Sequence, residues 1–155
     1  MKKIINPWSH REGYDCFGCC QDNPLGVRMT FMEDGEDVVS FWKPGEHYQG
    51  WINTLHGGII ATLIDETAGW VVFRKLQTSG MTIRLDVHYR KAVMTTDGQI
   101  EIRGRIAEFK RNIVFIDVVV KNSSGEVCSE GRATYFCMKG DKARDMGFES
   151  CEVEE

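Results

Sequence analysis

With 155 residues, the chain can bury roughly 70% of its unfolded surface in one domain without help from disulfides. Nineteen Lys and Arg against 23 Asp and Glu leave a net charge of −4, which lacks the basic footprint of a nucleic-acid protein. At 42% hydrophobic and 27% charged the composition is globular and excludes a disordered chain.

Met1-Lys2-Lys3-Ile4-Ile5-Asn6-Pro7 contains only two apolar residues before Asn-Pro, so no signal-peptide core is read there. A cytoplasmic protein with its six cysteines as reduced thiols is the expectation. Residues 1–25 carry Pro7, Gly13, Gly18 and Pro24 and are expected to be irregular. Val27 to Met32 and Val38 to Trp42 are strand candidates around the turn Asp34-Gly35-Glu36. Pro44 to Thr54 reads as a loop. A helix follows from about Leu55 to about Leu76, ended by Ser79-Gly80. The period then becomes two: Ile83, Leu85, Val87 and Tyr89 alternate with Arg84, Asp86, His88 and Arg90. Ile100, Ile102 and Ile106 alternate with Glu101, Arg103 and Arg105 in the same way. Ile113 to Val120 is nearly continuous in apolar residues and reads as a central strand. Asn122-Ser123-Ser124-Gly125 is a turn, Val127 to Met138 a last strand, and 140–155 a frayed polar tail. The order predicts an α+β domain, one helix against one long antiparallel sheet.

The helix is unusual. From Gly57 to Phe73 every residue except Asp65 and Glu66 is apolar, Gly or Thr. A helix that is apolar nearly all round is buried, and a buried carboxylate requires a partner or a task. The adjacent acids at the centre of the run make membrane insertion costly, so a soluble protein is expected. At about 100° per residue, Ile59, Leu63, Glu66, Trp70 and Phe73 form a bulky stripe, expected to pack on the chain's own sheet. Gly58, Ala61, Thr62, Asp65, Ala68, Gly69 and Val72 form a stripe of mostly small residues, expected to face a second copy of the chain. Glu66 is expected to bind a basic side chain at the sheet edge.

His56-Gly57-Gly58 opens the helix, where free N–H groups and the positive dipole end point outward. An oxyanion can be held at such a place. Gly57 and Asp65 are eight residues apart, about 12 Å along a helix axis. One substrate carbonyl cannot bind the Gly57 N–H and be attacked by Asp65 of the same helix. A shared reaction therefore requires two antiparallel helices from two subunits.

These residues resemble the hotdog-fold acyl-CoA thioesterases of the phenylacetyl-CoA and 4-hydroxybenzoyl-CoA type. The resemblance covers about residues 14–138. It rests on Asn53-Thr54-Leu55-His56-Gly57-Gly58, the acid at Asp65, the strand from Met81 to Lys91, and Cys16-Phe17-Gly18-Cys19 followed by Asn23-Pro24-Leu25-Gly26. It implies a long antiparallel sheet wrapped round one central helix, paired into homodimers or homotetramers with sites at the subunit interface. It further implies that the Gly57 N–H polarises a thioester carbonyl and that Asp65 is general base or nucleophile. Thr82 matches a hydroxyl residue that positions water beside the acid. His56 shapes the helix N-terminus, and Asn53 is similar to an Asn or Gln near the carbonyl. Strict alternation puts Thr82 in the row of Arg84 and Asp86, so an inward Thr82 requires an irregularity at the start of its strand. No metal or organic cofactor is required by this chemistry.

Other features are weighed beside it. Cys16-x-x-Cys19-Cys20 has only His10 as a further nearby ligand and no second Cys pair, so no metal site is expected. Asp22-Asn23-Pro24 departs from the hydratase branch of the same fold, which has a spacer after the Asp and a closing His where Gly26 stands. Lys110-Arg111 in a hairpin turn and Arg90-Lys91 at a strand end are candidate contacts for coenzyme A phosphates. Tyr48, Trp51 and Trp70 are candidate walls for an acyl or aryl group. The reading from a different class is a non-catalytic acyl-CoA-binding or structural dimer, in which Asp65 only serves the interface.

Overall fold

The computed structural model describes all residues, 1–155. Seven strands form one antiparallel sheet in the order β1-β2-β3-β5-β6-β7-β4. The strands are β1 (Lys2–Lys3), β2 (Met32–Asp34), β3 (Asp37–Trp42), β4 (Gly80–Tyr89), β5 (Ile100–Lys110), β6 (Ile113–Lys121) and β7 (Val127–Cys137). Helix α1 (Gly57–Leu76) lies against β3 to β7, and a short α2 (Gly140–Asp145) follows the sheet. This is the sheet-round-one-helix arrangement expected above.

Helix α1 starts where His56, in extended backbone conformation, accepts a hydrogen bond from the Gly58 N–H. It stops at Leu76 because Gln77 turns into the left-handed region, three residues before Gly80, which opens β4. Arg74 and Lys75 lie in the last turn, where cations favour the helix dipole. Both also bond Glu33 of β2, at 2.8 and 2.6 Å, and so tie the helix end to the sheet.

The face packed on the sheet is not the bulky stripe. Ile64, Thr67 and Val71 meet the sheet, and two inward glycines admit them. A Cβ on Gly131 would come within 2.6 Å of Ile64 Cγ2, and one on Gly104 within 3.1 Å of Val71 and 3.2 Å of Thr67. The bulky residues point the other way and are covered by the chain's own ends. Phe31 stacks on Trp70 at 4.9 Å, Trp8 packs on Phe73 at 4.6 Å, and Phe148 stacks on Phe73 at 6.0 Å. Much of what a second copy was expected to cover is thus covered from within. Gly58, Ala61, Thr62 and Asp65 remain partly or fully open, while Ala68, Gly69 and Val72 are buried.

Three further expectations are corrected. Val27, Met29 and Phe31 alternate inward, yet Val27 to Phe31 is no strand. Arg28 adopts a positive φ of 56°, and the backbone bonds run to Phe17, Gly18 and Ile4 rather than to one neighbouring strand. The tail 140–155 is not frayed. Phe148 and Cys151 are buried, Val153 bridges Ile4, and the Cys151 carbonyl accepts from Arg74 at 2.7 Å and Gln77 at 2.9 Å. Ile83 does not face inward: a bulge between Thr82 and Arg84 leaves it 58% exposed.

Removing a buried aromatic ring costs about 3–5 kcal/mol. The Phe148→Ala protein should therefore unfold at clearly lower denaturant than the parent. An unchanged midpoint would return the tail to the frayed state.

Candidate active site

Asp65 occupies the partly open face of α1 and is half-buried, not sunk in the core as its surroundings in the sequence predict. Two hydroxyl groups converge on it. The Thr82 hydroxyl donates to Asp65 Oδ1 at 2.7 Å. The Tyr135 hydroxyl lies 3.3 Å from the same oxygen and 2.9 Å from the Asp65 main-chain carbonyl. Thr82 and Tyr135 are cross-strand partners on β4 and β7, so one step of the ladder delivers both.

The bulge at Ile83 makes this possible. Side chains alternate strictly along a strand, and one extra residue flips the parity. After the bulge Leu85 and Val87 face the helix; before it, Thr82 does. Tyr135 was not among the residues expected at the site. Its signal is a phenol in the buried row of β7 beside Ala133 and Cys137, since a buried Tyr hydroxyl needs a partner. Burial pushes its pKa up, with the Asp65 charge adding to the effect, so the phenol keeps its proton to donate. With Oδ1 so engaged, Asp65 Oδ2 has no hydrogen-bond partner in the chain.

The other half of the predicted site gathers at the start of α1. Of the helix's first N–H groups, Gly58 bonds His56 Nδ1 at 2.8 Å, and Ile59 and Ile60 bond the His56 carbonyl at 3.0 and 3.1 Å. That leaves the Gly57 N–H as the unpaired donor. The Gly57 carbonyl accepts from the Tyr89 hydroxyl at 2.6 Å, which pins the turn to the end of β4. Asn53 takes a positive φ of 61° in the preceding turn. Its carbonyl accepts from Thr95 at 2.8 Å, while its exposed carboxamide makes no bond.

The four candidate cations divide between the two ends of the sheet. Arg90 and Lys91 follow β4 at the Gly57 end, paired to Glu130 at 2.9 Å and to Glu126. Lys110 and Arg111 lie at the β5–β6 hairpin, whose Ile113 pairs with Phe136 beside Met81 at the Thr82 end. Ten residues of β4 separate the ends, about 30 Å of strand. Within one chain the four therefore form no cluster. The three aromatic residues proposed as walls also disperse: Trp51 is 84% exposed, Trp70 is core, and Tyr48 packs on Trp42.

A cavity of about 300 Å³ does open beside Asp65. Trp8, Tyr14, Phe73 and Tyr135 line it together with Thr82, Cys16, Cys19 and Glu66. Trp8, Tyr14, Cys16 and Cys19 come from the N-terminal segment, far from the helix in sequence. Glu66 meets no basic side chain: Trp70 Nε1 donates to its Oε1 at 3.1 Å and Cys16 Sγ lies 3.6 Å from that oxygen. All six cysteines are free thiols. Cys16 ionises before Cys19, because the bond between them lowers the first and, with burial, raises the second. No helix is long and apolar enough to cross a membrane.

Residues 52–129 match the Thioesterase superfamily. The chain is 28% identical over 118 residues to the acyl-coenzyme A thioesterase THEM4 of Rattus norvegicus, across 76% of this chain and 50% of that protein. It thus spans about half the length of that relative. A hypothetical thioesterase protein of Streptococcus pneumoniae TIGR4, solved with coenzyme A, superposes with a TM-score of 0.66 at 25% identity, covering 71% of this chain and 85% of that one. The protein smu.793 of Streptococcus mutans UA159, bound to acetyl CoA, gives 0.67 at 20% identity, covering 83% and 96%, a likeness of fold alone.

Proposed function

The chain belongs to the thioesterase superfamily and has its hotdog fold, and from that membership we propose that it hydrolyses an acyl- or aryl-coenzyme A thioester to a carboxylic acid and free coenzyme A. The observation that carries the reading is the convergence of Thr82 and Tyr135 on Oδ1 of Asp65, which leaves Oδ2 without a partner, while both of those residues also line the neighbouring cavity. That oxygen acts on the thioester as general base toward a water molecule or as nucleophile toward the carbonyl carbon. Thr82 orients the carboxylate and offers its oxygen lone pairs to the water. Trp8, Tyr14, Phe73 and Tyr135 receive the acyl or aryl group. The acyl-coenzyme A thioesterase named among the relatives and the coenzyme A in the streptococcal structure support the substrate class.

The carbonyl oxygen binds the unpaired N–H of Gly57, with His56 holding the cap and Asn53 presenting its free carboxamide alongside. Since Gly57 and Asp65 of one helix are about 12 Å apart, the two halves come from different copies of the chain. β4 is the sheet edge, ten residues long, and exposes Met81 and Ile83. A long edge with apolar side chains seeks a partner strand, and the open turns of α1 adjoin it. Antiparallel pairing of two helices sets the Gly57 end of one copy against the Asp65 end of the other. Arg90 and Lys91 of one copy then border the same site as Lys110 and Arg111 of the other, which gives the divided cations one phosphate-rich ligand to share.

The protein should sediment as a dimer or tetramer at micromolar concentration; a folded monomer would sink the shared site. Replacing Lys110 and Arg111 together by Ala should raise the KM for acyl-CoA more than it lowers kcat, as loss of uniform binding does. An unchanged KM would return them to the solvated surface. In a free-thiol assay across a panel of CoA thioesters, Asp65→Asn should cut turnover by at least about 100-fold with the oligomer intact. Glu66→Gln should cost less. Near-normal hydrolysis by the Asp65→Asn protein would reject the reading.

A further inference from the structure

We propose that Cys16, Cys19 and Glu66 form a binding site for a thiophilic divalent cation of the Zn²⁺ class, with its fourth position open to the cavity beside Asp65. The sulfurs of Cys16 and Cys19 and a Glu66 carboxylate oxygen lie within 4.8 Å of one another. A tetrahedral zinc with bonds of about 2.3 Å to sulfur and 2.0 Å to oxygen sets S and O about 3.5 Å apart. Cys16 Sγ and Glu66 Oε1 are 3.6 Å apart. Sequence spacing hides this site, because the third ligand arrives from 50 residues away on the face of α1 that the N-terminal segment covers.

The surroundings are built for such a centre. The Cys16–Cys20 turn is closed by a Cys20 N–H bond to the Cys16 carbonyl at 3.1 Å, which brings both sulfurs to one side. Gly18 lets that turn lie directly on Glu66: a Cβ there would be 2.3 Å from the carboxyl carbon. Each of two ligands also has its own support. Trp70 Nε1 donates to Glu66 Oε1 at 3.1 Å. Asn6 Nδ2 donates to the Tyr14 hydroxyl at 2.9 Å, and the hydroxyl lies 2.8 Å from Cys19 Sγ. With the cation bound and Cys19 a thiolate, that hydroxyl is the donor to the sulfur. Such outer contacts fix ligand orientation in metal sites.

The ligand set selects the ion. Thiolates prefer soft or borderline cations, and a carboxylate beside them favours Zn²⁺ over a monovalent copper. Binding releases the two thiol protons to solvent. The three ligands leave one tetrahedral position, and all three also line the cavity that Thr82 and Tyr135 line. A cation there locks the N-terminal segment onto α1 and so holds Trp8 and Tyr14 in place as cavity walls. This site stands apart from the hydrolytic reading and holds whether or not Asp65 is the base.

The test uses the full chain, reduced, stripped with a chelator and titrated anaerobically with Co²⁺ as the probe. About one Co²⁺ per chain should bind, with thiolate-to-cobalt charge-transfer absorption and the intense visible bands of a tetrahedral ion, and Zn²⁺ should displace it. Cys16→Ser and Glu66→Gln should each weaken Zn²⁺ at least about 10-fold, and Tyr14→Phe by about 10- to 100-fold. Cys20→Ser, whose thiol faces the Tyr14 carbonyl, should bind as the parent does. Absence of charge-transfer absorption in the parent overturns the proposal, as does undiminished charge-transfer intensity in Cys16→Ser or its loss in a folded Cys20→Ser. Should Cys16→Ser not fold, Glu66→Gln carries the same reading, and unchanged Zn²⁺ affinity there overturns it. Thioester hydrolysis is not measured in any arm, so a failure here leaves the hydrolase reading to its own test.

Discussion

The structure depends on a helix that water cannot be allowed to wet on either side. Helix α1 buries Ile64, Thr67 and Val71 against the sheet and Trp70 and Phe73 beneath Trp8, Phe31 and Phe148. A sheet has one inner face, so it satisfies half of such a helix, and the other half recruits whatever chain lies nearest. Here that is the N-terminal segment and the tail, joined to each other through Ile4 and Val153 and through the Ile5 N–H to the Glu152 carbonyl. The irregular ends are therefore part of the core. What they leave open is the first part of α1, from Gly58 to Asp65, beside the free edge of β4.

That opening is where chemistry is possible. A carboxylate deeper in the helix would be dehydrated and unreachable; one further out would be solvated and undirected. Asp65 lies between these limits, held by Thr82 and Tyr135 on one oxygen. Both contacts rest on a single inserted residue. Without the bulge at Ile83, the pleat would turn Thr82 toward solvent and Ile83 onto the carboxylate. An apolar neighbour at that place would offer Oδ1 no hydrogen bond in place of the one Thr82 gives it.

Glu66 shows how the same two-sided burial divides neighbouring residues. A step of about 100° separates it from Asp65. Asp65 faces β4 and β7, and Glu66 faces the N-terminal turn. Two adjacent acids thus belong to different environments, one among hydroxyl groups and one among thiols and an indole. Glu66 lines the cavity that Thr82 and Tyr135, the partners of Asp65, also line, which links the packing of the N-terminal segment to the space beside Asp65.

Alternation sufficed for β5, and the uninterrupted apolar runs for β6 and for a helix expected from about Leu55 to about Leu76 and found at Gly57–Leu76, because each pattern extends over many residues. The oddity of Asp65 in an apolar helix, and His56-Gly57-Gly58 at its start, were equally legible, since the cost of burying charge and the geometry of helix ends are local matters. The family likeness added the expectation that Thr82 joins Asp65. What the linear pattern does not contain is the distance between residues far apart in the chain. It could not place Tyr135 on Asp65, Cys16 on Glu66, or Trp8 on Phe73. Nor could it tell which helix face meets the sheet, because a helix apolar all round points nowhere by itself. Small residues on the opposing surface, Gly104 and Gly131, decided that orientation, and the one-residue bulge at Ile83 decided the aim of Thr82. Both are matters of steric fit between elements, which exist only once the chain has folded.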